Sequence, residues 1–195
     1  MTNCPFCNLD KTNICNTIID ETDEFFITPT KGSIVDGYIL IIPKSHILSM
    51  SQLTSTQKDN LTQIKNKYRE IFKKVYGRYP ICFEHGSYSE DTKSSSSSIK
   101  HAHLHIVNHN FTNEQNIIKS LNMNKVSEHD FFKNKNKNYI SYISPQNEYY
   151  ITYNFNTKSQ QMRIFIAEDL SIPTEYNWRN KNYDENIIKT INNLK

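Results

Sequence analysis

Three of the seven histidines stand at alternate positions in the run 99–110, IKHAHLHIVNHN: His101, His103 and His105. Ala102, Leu104 and Ile106 fill the gaps. Strict polar/apolar alternation is a strand pattern. Successive strand side chains point to opposite faces, so the three imidazoles share one face and the apolar residues share the core face. Neighbouring rings then start roughly 6.6 Å apart, two strand rises, close enough to act on one ligand. A single histidine here would read as structural. Three in register form a poor core face and repel one another when protonated, so they point to chemistry. Neutral imidazole can attack phosphorus and leave again, splitting one hard step into two. Its other ring nitrogen must then be held by an acceptor, and nearby polar groups must offset the phosphate oxygens.

A second constellation opens the chain. Cys4 and Cys7 form a C-x-x-C pair in CPFC. In a reducing compartment such a pair is metal-binding, redox-active or incidental. A thioredoxin-like site needs the pair at a strand–helix junction, and the helical pattern here lies far downstream. A tetrahedral metal needs two more ligands. His46, after GYILIIPKS, and His101 are the candidates, and they would tie the N-terminus to the histidine strand. Other chemistries find less support. Serines are plentiful, but no G-x-S-x-G elbow is present. With four glycines in 195 residues there is no phosphate-binding G-x-x-x-x-G-K-[ST] loop.

The elements around these residues can be read from pattern. GYILIIP (37–43) is a buried strand, EFFIT (24–28) a short apolar stretch, and ICFEH (81–85) a further strand. Between them Leu61, Ile64, Tyr68, Ile71 and Val75 are spaced 3, 4, 3 and 4, a helical stripe. Thr54, Ser55 or Thr56 could cap it and Gly77 could end it. Residues 86–100 form a loop with five consecutive serines, a flexible linker or a phosphate contact. Beyond residue 110 the expectations are a helix over 113–122, a charged Asn-rich turn over 131–138, a hairpin from YISYIS and YYITYNF, and helices over 159–170 and 184–194. The order suits an α+β fold with an antiparallel sheet and a long helix after the central strand. A mixed α/β segment, 111–195, packs on the first 110 residues.

Bulk properties bound the rest. The chain is 36% hydrophobic and 22% charged, with a net charge of +3. That balance carries no strong nucleic-acid signal, and it suits an anionic small molecule. No apolar run reaches the ~20 residues of a membrane span. The N-terminus lacks a signal-peptide stretch, so a cytoplasmic location without a disulfide framework is expected.

HAHLHIV (101–107) resembles the motif of the histidine-triad (HIT) family, His-φ-His-φ-His-φ-φ with φ apolar. CPFC and GYILIIPKSH (37–46) are similar to the start and central strand of its zinc-containing members. FEHG (83–86), QQMRIFIAEDL and NWR (177–179) are similar to a HIT branch with a C-terminal extension. The resemblance implies nucleotidyl transfer through a nucleotidyl-histidine. His103 would be the nucleophile and His105 a donor to the phosphate or bridging oxygen. It implies a structural zinc on Cys4, Cys7, His46 and His101, and a homodimer. Dinucleoside polyphosphates or nucleotidyl conjugates are the implied substrates, with water as acceptor. The alternatives are a nucleotidyltransferase or phosphorylase using phosphate or sugar, and a non-catalytic zinc-stabilised nucleotide-binding module. Where the family has glycine before the motif, this chain has KSSSSSIK. Ser97 and Ser98 are therefore the candidate phosphate contacts, with Lys93 or Lys100 adding charge. Glu84 and His85 read as structural or solvent-facing. Arg163 and Arg179 either reach a phosphate or are helix-surface charges, the second being the expectation. Trp178 packs the tail onto the domain, and His109 and His129 have no supporting context.

Overall fold

The computed structural model describes residues 4–90, 98–133, 136–153 and 157–195. Among them, eight strands form one sheet: β1 (Asp20–Glu21), β2 (Phe25–Pro29), β3 (Tyr38–Pro43), β4 (Ile81–Gly86), β5 (Leu104–Val107), β6 (Asn124–Val126), β7 (Tyr139–Ile143) and β8 (Tyr149–Thr152). Five α-helices accompany them: α1 (Ser55–Tyr76), α2 (Glu114–Ser120), α3 (Glu128–Phe131), α4 (Gln161–Asp169) and α5 (Asp184–Leu194). The strand order is β1-β2-β3-β5-β4-β7-β8-β6, and every neighbouring pair is antiparallel. This is the expected α+β fold.

Helix α1 forms because its ends are marked and one face is apolar. The Thr54 side chain accepts from the Gln57 backbone N–H, and Gln57 reaches back to the Thr54 N–H, a capping box. Gly77 ends the helix at φ +74°, a left-handed position that favours glycine. Leu61, Ile64, Tyr68 and Phe72 lie against Ile39, Ile41, Leu104, Ile106 and Cys82 of the sheet. Burying each such side chain contributes roughly 1.5–3 kcal/mol. The expected stripe is corrected at its end. Val75, in the last turn, is 41% exposed, and Phe72 takes the core position. The same face also buries Lys65 and Arg69, because their charged ends reach polar groups. Lys65 meets Glu128 and the Tyr149 hydroxyl, and Arg69 meets the carbonyls of Pro80, Ser144 and Pro145.

The opposite face of the sheet carries the histidines. The pairs Leu40↔His105 and Phe83↔His105 put these residues on one side. Ala102, Leu104 and Ile106 go to the α1 side, as the alternation predicts. The strand itself starts at Leu104, so His101 and His103 lie just before it. Residues beyond 110 continue the sheet. β7 pairs with β4, and α4 covers the histidine side with Met162, Ile166 and Ala167. The β7–β8 hairpin matches expectation. β1, β6 and α3 were not anticipated, being two, three and four residues long.

Candidate functional site

His103 and His105 sit on the floor of a cavity of about 870 Å³. Both are buried, and their ring centroids are 4.8 Å apart. His103 Nδ1 lies 2.7 Å from the His101 carbonyl. A carbonyl only accepts, so Nδ1 carries the proton and Nε2 keeps its lone pair. Burial pushes the His103 ring down to about 4, with the His101 carbonyl bond acting the other way, so it is neutral near pH 7. That is the state a nitrogen nucleophile requires. His105 is also held well below its ordinary value, chiefly by burial, and its Nδ1 lies 2.9 Å from the Tyr38 hydroxyl. Phe83 stacks on His105 at 4.3 Å, and Phe6 meets His103 edge-on at 5.3 Å.

The third histidine turns to a different partner set. Cys4 Sγ is 3.3 Å and Cys7 Sγ 3.6 Å from His101 Nδ1, and Cys7 Sγ is 3.2 Å from His46 Nδ1. All four candidate ligand atoms lie within 4.8 Å of one another. The donor set suits zinc, whose legs to sulfur and imidazole are about 2.3 and 2.0 Å. The backs of the rings fit as well. His101 Nε2 donates to the Pro43 carbonyl at 2.8 Å, which turns the Nδ1 lone pair toward the thiols. Glu90 stands 3.5 Å behind His46 Nε2.

Of the candidate phosphate contacts, Ser98 and Lys100 line the cavity. Ser97 and Lys93 lie outside the described residues. One expectation changes. Arg163 is no surface charge: it is 4% exposed, lines the cavity and donates to the Tyr176 and Gly32 carbonyls. The α4 face bearing it packs on the sheet, which brings the guanidinium inward. His85 is buried at the cavity wall, its Nε2 without a hydrogen-bond partner among the described residues. Burial takes it down to about 3. It shares a face with Phe83 by strand alternation, so its approach to the triad was readable once β4 and β5 were paired. Glu84, on the other face, accepts from the Met50 N–H and the Tyr139 hydroxyl. His109 is buried with its Nε2 3.0 Å from Asp169, a link to α4. Arg179 lies over the Trp178 ring at 4.2 Å, and Trp178 lines the cavity with Gln160 and Lys31.

Residues 3–121 match the family described as scavenger mRNA decapping enzyme C-term binding. The chain belongs to this family, a histidine-triad one. It is similar to an uncharacterized 16.1 kDa HIT-like protein of Mycoplasma pneumoniae, 26% identical over 105 residues, 54% of this chain and 70% of that protein. Among solved structures it is similar to a HIT-like protein from Bartonella henselae (TM-score 0.39, 16% identity), over 46% of this chain and 63% of that one. The match thus spans less than two thirds of the Bartonella protein. It is also similar to a zinc-bound histidine triad family protein from Mycobacterium smegmatis (TM-score 0.46, 17% identity), over 57% of this chain and 78% of that one. Histidine-triad membership accounts for the alternating run 101–107. Gln160, Arg163 and Trp178 lie beyond residue 121, yet they line the same cavity.

Proposed function

We propose that this histidine-triad protein is a nucleotidyl hydrolase working through a nucleotidyl-histidine on His103. One observation carries the reading: the His101 carbonyl holds Nδ1–H and leaves a neutral Nε2 at the floor of the cavity. In the first step Nε2 attacks the α-phosphorus and the bond to the leaving oxygen breaks. The ring becomes cationic, and its Nδ1–H bond to the carbonyl strengthens. A polyphosphate leaves as an anion and needs no proton, so His105 contributes a hydrogen bond to the developing charge. Water then attacks phosphorus, the P–N bond breaks, and the water's proton passes to solvent. Ser98, with Ser97 beside it in sequence, is the candidate contact to the phosphate oxygens.

Dinucleoside polyphosphates and nucleotidyl conjugates are the substrates to try first. A capped dinucleotide belongs on that panel, since the family's description names a decapping enzyme. Cys4, Cys7, His46 and His101 would hold a zinc ion, which with four protein ligands has no open position and serves structure. Residues 1–110 act as the histidine-triad domain, with 111–195 as an extension that helps wall the cavity. A cytoplasmic homodimer belongs to the same reading.

The test is turnover of a dinucleoside polyphosphate by wild type and His103→Ala. Loss of turnover with nucleotide binding retained supports the proposal, and normal turnover by the variant removes it. Adding inorganic phosphate separates the acceptors: a phosphorylase would accelerate and release a nucleoside diphosphate.

A further inference from the structure

His103 and His105 are the same residue type on one sheet face, but their ring nitrogens meet different partners. The His101 carbonyl dictates the tautomer of His103. The partner of His105 Nδ1 is the Tyr38 hydroxyl, which can donate or accept. A third group decides between the two. Arg163, buried on α4, stands with its guanidinium carbon 5.4 Å from the Tyr38 ring centroid. Its position is fixed from behind, Nε donating to the Tyr176 carbonyl at 2.8 Å and an Nη to Gly32. From there its positive charge bears on the Tyr38 hydroxyl.

A guanidinium only donates. Beside the Tyr38 ring, its fixed positive charge favours the hydroxyl orientation that turns the hydrogen away from it. Tyr38 is fully buried, and the hydroxyl's partner is His105 Nδ1. We propose that Arg163 and Tyr38 are positioning residues that hold His105 in its Nε2–H form. The histidine strand then presents two unlike rings 4.8 Å apart, a bare nitrogen on His103 and an N–H donor on His105. The tail beyond residue 121 thereby sets the chemistry of the triad. This rests on the proposed reading of His103 as nucleophile and His105 as donor.

The test is nitrogen NMR of histidine-labelled full-length protein without substrate, the His105 signals being identified by their loss in His105→Asn. Wild type should show an unprotonated Nδ1 and a protonated Nε2 on His105. Tyr38→Phe, which removes only the hydroxyl, should move both nitrogens toward averaged values. Arg163→Met should do so in part, and Arg163→Lys should restore the wild-type pattern. A protonated Nδ1 in wild type overturns the proposal, as does an unchanged His105 in folded Tyr38→Phe. Should Tyr38→Phe not fold, the wild-type spectrum alone decides. No turnover enters this measurement. An inert protein with the Nε2–H form would sink the hydrolase reading and leave this one standing, and an active enzyme with Nδ1–H would do the reverse.

Discussion

At the scale of residues, backbone partners decide what an imidazole can do. His103→Asn keeps a polar side chain but cannot carry a nucleotide, so its turnover should vanish as it does for His103→Ala. His105→Ala loses a donor and keeps the nucleophile, so its kcat should fall less; a single-turnover assay of the three variants checks the order. Glu84 offers a separate test of burial. Its carboxyl is pushed up to about 7, burial outweighing the bonds from Tyr139 and Met50. The folded protein therefore holds a proton that the unfolded chain releases near 4.5. The resulting stabilisation is complete below that pH and is lost as pH rises through about 7. At about 1.4 kcal/mol per unit, the loss amounts to a few kcal/mol. Glu84→Gln keeps a hydrogen-bonding group without the charge. Its melting temperature relative to wild type should rise between pH 5 and pH 8, and a constant difference would contradict the assignment.

At the scale of elements, the N-terminal segment and the tail residues around Trp178 each carry a prediction. Purified protein should carry about one zinc per chain, and removing it should lower the melting temperature, because binding energy is folding energy. Cys4→Ser with Cys7→Ser should abolish zinc by elemental analysis; full occupancy in that variant would reassign the ligands. Gly32 sits at φ +69°, and a Cβ there would meet the Trp178 backbone at 2.6 Å. Gly32→Ala should shift Trp178 in the cavity wall and raise KM more than it lowers kcat. What was legible in sequence follows the range of the forces involved. The caps of α1 and the alternation of 101–107 are local, so Gly77, an N-cap among Thr54, Ser55 and Thr56, and the core face of Ala102, Leu104 and Ile106 could be read directly. β1, β6 and α3 are too short to show a period. Lys65 and Arg69 look like surface charges because the groups that satisfy them come from distant strands. Arg163 and His85 reach the cavity only through tail folding and strand register, which no local pattern displays.

At the scale of the whole molecule, one sheet runs through both parts of the chain. β7 hydrogen-bonds to β4 from Cys82 to Gly86, beside the histidine strand. α5 is tied to the turn before β3 through Thr190 and the Gly37 N–H at 2.9 Å. Removing residues 111–195 would strip one edge of β4 and uncover Phe83 and Tyr38. Calorimetry of the full chain should therefore show one cooperative transition, and two separate transitions would argue that the parts fold independently. The central claim is that the central ring of the triad becomes the nucleotide carrier. The most direct measurement is to mix enzyme with a dinucleoside polyphosphate, quench in base, and locate the adduct by peptide mass spectrometry. An acid quench would hydrolyse the phosphoramidate bond. The account predicts a nucleotidyl mass on His103 that is absent from His103→Ala. An adduct on His105 or His85, or turnover with no adduct and an active His103→Ala, would contradict it.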